Sequence, residues 1–376
     1  MFRFLSHLIL FFLIITFISC NQQDEKSLVR NELIINAIKK EAGELKDSVS
    51  ETAPSPLIIR SGLPPGYYKY TTDTLQVSQY LRQIFQDKTG NIWFGTVSND
   101  ACRYDENSLT YYTKKEGLDG NTIQGIVEDN DGNIWFGTDG GLTKYDGTNF
   151  TKHTEKNGLT KDHITSLFID RAGNMWIGTA GGVCRYDGKS FTKFSIPESG
   201  NKLEIKSIIE DKAGNIWFAS NGGGAYRYDN KNLTRISEKD GLSSNTVTCI
   251  LEDKSGNIWF ATLGGGLCCY DPKAAFKGSR SFTNYPEEKG NNRVFTMYED
   301  KVGNIWAAVH GGVRRYDGKT FRYFASADGL TNHGVQSIYE DRAGNLWFGS
   351  GNGLFRFDGN RFINVTKKGP WPKHFR

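Results

Sequence analysis

Glu128-Asp129-Asn130-Asp131-Gly132-Asn133-Ile134-Trp135-Phe136-Gly137-Thr138, followed by Gly140-Gly141-Leu142-Thr143-Lys144-Tyr145-Asp146-Gly147, recurs with small changes seven times along this chain. The tryptophans that mark the copies are Trp93, Trp135, Trp176, Trp217, Trp259, Trp306 and Trp347, spaced by 42, 41, 41, 42, 47 and 41 residues. In each copy an Asp-x-x-Gly-Asn turn leads into an apolar run that holds the tryptophan. A fixed period near forty with a turn-strand signal in every copy is the signature of a β-propeller. The expectation is an all-β, seven-bladed propeller of four-stranded blades over 66–370, followed by a short tail, 371–376.

Columns within the repeat assign the strands. The first strand carries apolar residues twelve and nine positions before the tryptophan, as at Ile123 and Ile126. The residue ten before it is usually small (Gly125, Ser166, Ser207, Cys249, Thr296, Ser337; Gln83 is the exception), which suits the crowded axis. The second strand is apolar nearly throughout, as expected of a strand covered on both faces. Its tryptophan is expected to pack between adjacent blades. The interval of 47 comes mainly from an insertion, Pro272 to Arg280, between third and outer strands of the fifth repeat. Two segments compete as the outermost strand where the ring closes, 66–71 and 361–365, and the sequence leaves both open.

The chain of 376 residues has a net charge of +4, and its Lys and Arg are spread through all repeats, so no nucleic-acid stripe is visible. Arg3 and His7 precede an apolar run from Leu8 to Ile18, too short to span a bilayer but suited to a signal-peptide core. Residues 1–19 are read as a lipoprotein signal peptide and 20–65 as an anchored helix and linker. Among the six cysteines, Cys102, Cys184 and Cys268 share one repeat position, two before the tyrosine, where other copies place Thr143, Tyr226, Arg314 and Phe355. A column that accepts all of these is a packing site, so buried free thiols are expected rather than a metal or disulfide framework.

These motifs carry four resemblances. Phe17-Ile18-Ser19-Cys20 resembles a bacterial lipobox, which implies lipidation at Cys20; an ordinary signal peptide with a chance cysteine is the alternative. Asp24-Glu25 resembles the acidic tag of surface-exposed Bacteroidetes lipoproteins. The placement implied is the cell envelope, at the outer membrane, on its periplasmic side or the cell surface. The run Asp-x-x-Gly-Asn-Ile-Trp-Phe-Gly-Thr-x-Gly-Gly-Leu-x-Arg-Tyr-Asp-Gly resembles the two-component regulator propeller repeat, found in periplasmic sensors that often recognise oligosaccharides. The same Gly-Asn-Ile-Trp-Phe core is similar to that of the virginiamycin B lyase propellers, which use magnesium and a histidine near the centre of the disc.

In a propeller the outer-to-inner connections and the second-to-third turns share one face. Thirteen residues before each tryptophan the copies read Tyr80, Thr122, His163, Glu204, Thr246, Arg293 and Gly334; the residues just before these include Asp162 and His333. Four residues after it they include Asp139 and His310. These positions vary while their neighbours repeat, which is where a particular ligand would be read. The candidate ligand-binding set is His163, Glu204, Arg293, His310, His333, Asp139 and Asp162, suited to a polar or anionic ligand. Wet surface variation is the plainer alternative. The expected function is a non-catalytic, extracytoplasmic, lipid-anchored sensor or binding propeller, monomeric and without a cofactor. Its partner would be a glycan, a small ligand or an envelope sensor or uptake protein. The alternatives are a magnesium-dependent lyase or hydrolase using His310 or His163, and a protein-interaction scaffold. Asp129-Asn130-Asp131-Gly132-Asn133 is similar to the start of a calcium loop, but its counterparts place Lys and Ala between the ligands, so it is read as a turn.

Overall fold

The computed structural model describes residues 75–97, 100–196, 203–278, 281–286, 292–330 and 334–372. The signal peptide, Cys20, the helix and linker of 20–65, and the competing strand 66–71 lie outside the described residues. So does His333.

Each repeat folds as the spacing predicts. Seven antiparallel sheets, each of four consecutive strands, form blades 1 (81–112), 2 (123–153), 3 (164–194), 4 (205–236), 5 (247–285), 6 (294–324) and 7 (335–365). The first strand of every blade lies beside those of both neighbours, and Leu81–Gln86 meets Val335–Glu340 to close the ring. The small-residue column is explained by this crowding: a Cβ on Gly125 would sit 3.1 Å from the backbone nitrogen of Leu167 in the next blade. One on Gly137, in the second strand, would sit 2.6 Å from the Ile164 side chain. The insertion in blade 5 forms a short helix, Pro272–Phe276, capped by Asp271.

The turn and the tryptophan are joined by a bond that the repeat pattern does not announce. In all seven blades one carboxylate oxygen of the turn aspartate accepts the indole N–H at 2.7–2.8 Å. Its other oxygen accepts the backbone N–H of the asparagine four residues on, at 2.8–2.9 Å. The candidate calcium loop is therefore a turn that spends its aspartate on the tryptophan. Each indole is 0–3% exposed and packs on the following blade. Trp93, for example, lies 5.6 Å from Phe136 and 6.1 Å from Tyr145, edge-on to both.

Basic residues tie the turns together. Lys88, Arg171, Lys212, Lys254, Lys301 and Arg342 each donate to a backbone carbonyl of the next blade's turn, Arg342 reaching Asp87 across the closure. Between blades 2 and 3 the corresponding position is Asn130.

Among the described residues the outer edge of the closing blade is formed by the C-terminal segment. The outer strand of blade 7 is Phe362–Val365. Beyond it Thr366 bridges to Gln76, and Lys367 N–H donates to the Leu75 carbonyl at 2.8 Å. Val365 is too small to cover Trp347 as Phe324 covers Trp306 in blade 6. Trp371 fills the gap, stacking on Tyr104 at 3.9 Å and lying 6.0 Å from Trp347.

Cys102, Cys184 and Cys268 are free and buried. Burial pushes their thiols up to about 12, 11 and 11, so they pack rather than react.

Replacing Asp211 with Ala strands the buried Trp217 N–H and should cost about 2–4 kcal/mol in urea unfolding; a change within about 0.5 kcal/mol would contradict this reading. Trp371→Ala should cost about 2 kcal/mol, less than a fully buried tryptophan. Its signature is faster amide exchange in blades 1 and 7 but not in blade 4.

Candidate functional site

The inner strands begin at one end of the ring, and the predicted positions among the described residues lie there. The backbone N–H four residues after the tryptophan donates to the carbonyl thirteen before it, as in Val97 to Tyr80, Ala180 to His163, Asn221 to Glu204 and Leu263 to Thr246. The two varied columns thus meet within a blade.

Their side chains divide into two groups. Asp139 accepts the backbone N–H groups of Asn121 and Thr122 at 2.5 and 3.2 Å. Asp162 accepts that of Glu155 at 2.6 Å, capping a short turn before blade 3. Both carboxylates are engaged in shaping loops. His163, Arg293 and His310 are exposed. The Arg293 guanidinium lies 5.7 Å over the Phe295 ring, which holds the charge in place without neutralising it. Glu204 is half-buried and accepts from Lys206 at 2.5 Å and from the Asn221 carboxamide at 3.0 Å. Burial pushes its carboxyl up, but these bonds, together with the nearby charges of Lys206 and His163, outweigh burial and hold it below the usual range.

One column was missed. Every inner strand carries a β-bulge between the residues twelve and ten before the tryptophan. The residue between them is Arg82, Gln124, Thr165, Lys206, Thr248, Phe295 or Gln336. A bulge re-aims a side chain. Here Arg82 reaches Gln124 of the next blade, Lys206 reaches Glu204, and Phe295 supports Arg293. The signal was available, a varied position between two repeating ones. Strict alternation puts that position on the same footing as the rest of the strand, and only the bulge sets it apart.

The end of the ring thus combines Arg82, Lys206 and Arg293, two exposed imidazoles, and carboxylates already bonded to protein donors. Such a surface accepts anions and polar groups more readily than cations. Among the described residues no group of three His, Cys, Asp or Glu side chains is arranged to hold a metal ion.

Six segments, 75–98, 117–140, 158–181, 199–222, 241–264 and 329–352, match the two component regulator propeller model. Blade 6, where Trp306-Ala307-Ala308-Val309 replaces the usual Trp-Phe-Gly-Thr, is not matched but folds alike. Comparison with curated protein sequences gives no match. Among solved structures, the extracellular domain of the hybrid two component system BT3049 from B. thetaiotaomicron is 26% identical, with a TM-score of 0.63. The alignment covers 76% of this chain and 39% of that one, so this chain spans about two fifths of that relative. Virginiamycin B lyase from Staphylococcus aureus is 13% identical over 76% of this chain and 95% of its own, with a TM-score of 0.61. PorZ of the Porphyromonas gingivalis type-IX secretion system is 17% identical over 74% and 46%, also at 0.61. The last two share the fold. With its repeats in register and all seven blades formed, the chain belongs to the two-component regulator propeller family.

Proposed function

We propose that this protein is a non-catalytic, extracytoplasmic ligand-binding propeller of the sensor type, which reads an anionic or polar ligand at the central mouth. The observation that carries the reading is the division of labour there. Asp139 and Asp162 are spent on backbone amides, Glu204 is paired with Lys206, and Arg293 and the imidazoles of His163 and His310 stay exposed. The similarity to an extracellular sensor domain supports an extracytoplasmic place, and no helix among the described residues is long and apolar enough to cross a membrane. Within this reading Cys20 carries the lipid anchor at the outer membrane. The ligand is an acidic oligosaccharide or a small anion, with a partner protein as the alternative. The exposed Phe276 on the blade 5 helix is where a scaffold would meet its partner.

In the lyase alternative His310 or His163 is the base and magnesium the cofactor, and the carboxylates that would help hold it, Asp162 and Glu204, already accept from protein donors. The two readings separate in one experiment, a thermal-shift screen of the protein against acidic and neutral oligosaccharides, small anions and divalent cations, with and without chelator. A ligand at a hundred times its Kd should stabilise by about 2.7 kcal/mol. Arg293→Ala should weaken an anionic ligand about ten- to a hundredfold. Stabilisation only by a cation, reversed by chelator, would overturn the binding reading in favour of the lyase.

A further inference from the structure

The seven blade interfaces act as internal controls for one another, and the one between blades 3 and 4 is built differently. It encloses a cleft of about 240 Å³ lined by Trp176, Arg185, Phe194, Ile216, Tyr228 and Asn230, among others. A second hollow of about 190 Å³ adjoins it through Arg185 and Phe194. Both lie away from the central mouth, towards the opposite end of the blades, where the aspartate turns are.

Three changes open the cleft. In blades 2, 3, 5, 6 and 7 a phenylalanine begins the outer strand opposite the last aromatic of the third strand, as Phe150 faces Tyr145 and Phe321 faces Tyr316. Tyr228 faces Leu233 instead, a side chain with no ring to stack on the tyrosine. In blades 2, 3 and 6 the tyrosine hydroxyl donates to the glycine carbonyl two residues on, at 2.7–2.9 Å. At Tyr228, where Asn230 takes the glycine's place with φ 69°, no such bond forms. Finally, Arg103 and Arg315 each lie 5.6–6.0 Å from two rings at once, their tryptophan and the outer-strand ring stacked on it. Phe194 turns edge-on to Trp176, at 79°, so Arg185 stacks on that indole alone, and it is exposed where its counterparts are half-buried.

The molecule also shows what fills such a gap. Blade 1 has the same pairing, Tyr104 opposite Leu109, and there the Trp371 ring stacks on the tyrosine at 3.9 Å and 18°. In blade 4 the ring nearest Tyr228 from blade 3 is Phe194, at 4.9 Å and 70°, an edge contact that leaves the face open. The acids around the cleft are already engaged: Glu210 accepts the Arg171 N–H at 2.7 Å, and Asp170 holds Asn174 and Trp176. The open charge is that of Arg185, whose planar fork matches a carboxylate.

We propose that the cleft between blades 3 and 4 is a second ligand site, which binds a six-membered ring bearing a carboxylate. The carboxylate pairs with the Arg185 guanidinium, the ring lies against Tyr228, and the Tyr228 hydroxyl and Asn230 carboxamide meet polar substituents. The volume suits one ring, either a free acid or one unit of a longer chain entering through the adjoining hollow.

Isothermal titration of the full chain with 4-hydroxybenzoate and with galacturonate tests this, with phenol and galactose as their uncharged counterparts. At least one acid should bind saturably and at least about tenfold more tightly than its counterpart. The acid that does so tells whether a flat or a hydroxylated ring is preferred. Arg185→Gln should weaken that binding about tenfold or more. Leu233→Phe should abolish it by restoring the ring that five other blades carry there. Arg293→Ala, at the central mouth, should leave it unchanged, which keeps this site distinguishable from the central one. Binding of neither acid, or binding that survives either Arg185→Gln or Leu233→Phe, overturns the proposal.

Discussion

The bond from each indole N–H to the aspartate of its own turn is where the architecture is decided. A carboxylate beside a buried indole would be costly to desolvate if left alone. Here it meets the tryptophan, the asparagine carboxamide and a backbone N–H at once, as Asp211 does with Trp217 and Asn215. That set fixes the angle between the turn and the second strand, and so the height at which the indole leaves its blade. The next blade is packed on that indole, so a local bond sets a long-range interface. Because the ring is closed, the error tolerated at any one interface is limited by the other six. The lysine and arginine links between successive turns add to this at every interface except the one between blades 2 and 3. There Asn130 stands in the basic position and Ile169 in the position that Glu128 or Glu210 fills elsewhere.

Much of the fold was legible because a repeat supplies its own comparison. Columns that repeat, such as the tryptophan, the turn glycine and the small residue of the inner strand, report contacts made identically in every blade. Gly137 is small because Ile164 of the next blade needs its space. What escaped were contacts made once. Trp371 stands outside the period, so nothing in the spacing marked it as the plug beside Tyr104. The aspartate–indole bond escaped for another reason: a turn aspartate has a sufficient local role in accepting backbone amides, and the pattern does not require a second partner.

The candidate site was legible by column but not by chemistry. Variation picked out His163, Arg293 and His310 at one end of the ring, where they are exposed. It could not tell that Asp139 and Asp162 would turn to backbone amides, since a loop's demand for a cap depends on its conformation. Nor did it flag Lys206, whose bulge brings it onto Glu204. The rim cleft at Tyr228 required the opposite reading, a repeating column at which one blade departs. Ligand-reading positions on this scaffold are of two kinds: those that vary in every blade, and those where one blade leaves unfilled what the others fill.

The most direct test of the central role of the aspartate–indole bond is hydrogen exchange of the tryptophan side chains, followed by indole ¹⁵N–¹H NMR. The chain has eight tryptophans, and in seven the indole N–H is held by a turn aspartate. The structure predicts seven slowly exchanging indole protons and one fast one, from the half-buried Trp371. Several of the seven exchanging as quickly as Trp371 would contradict it.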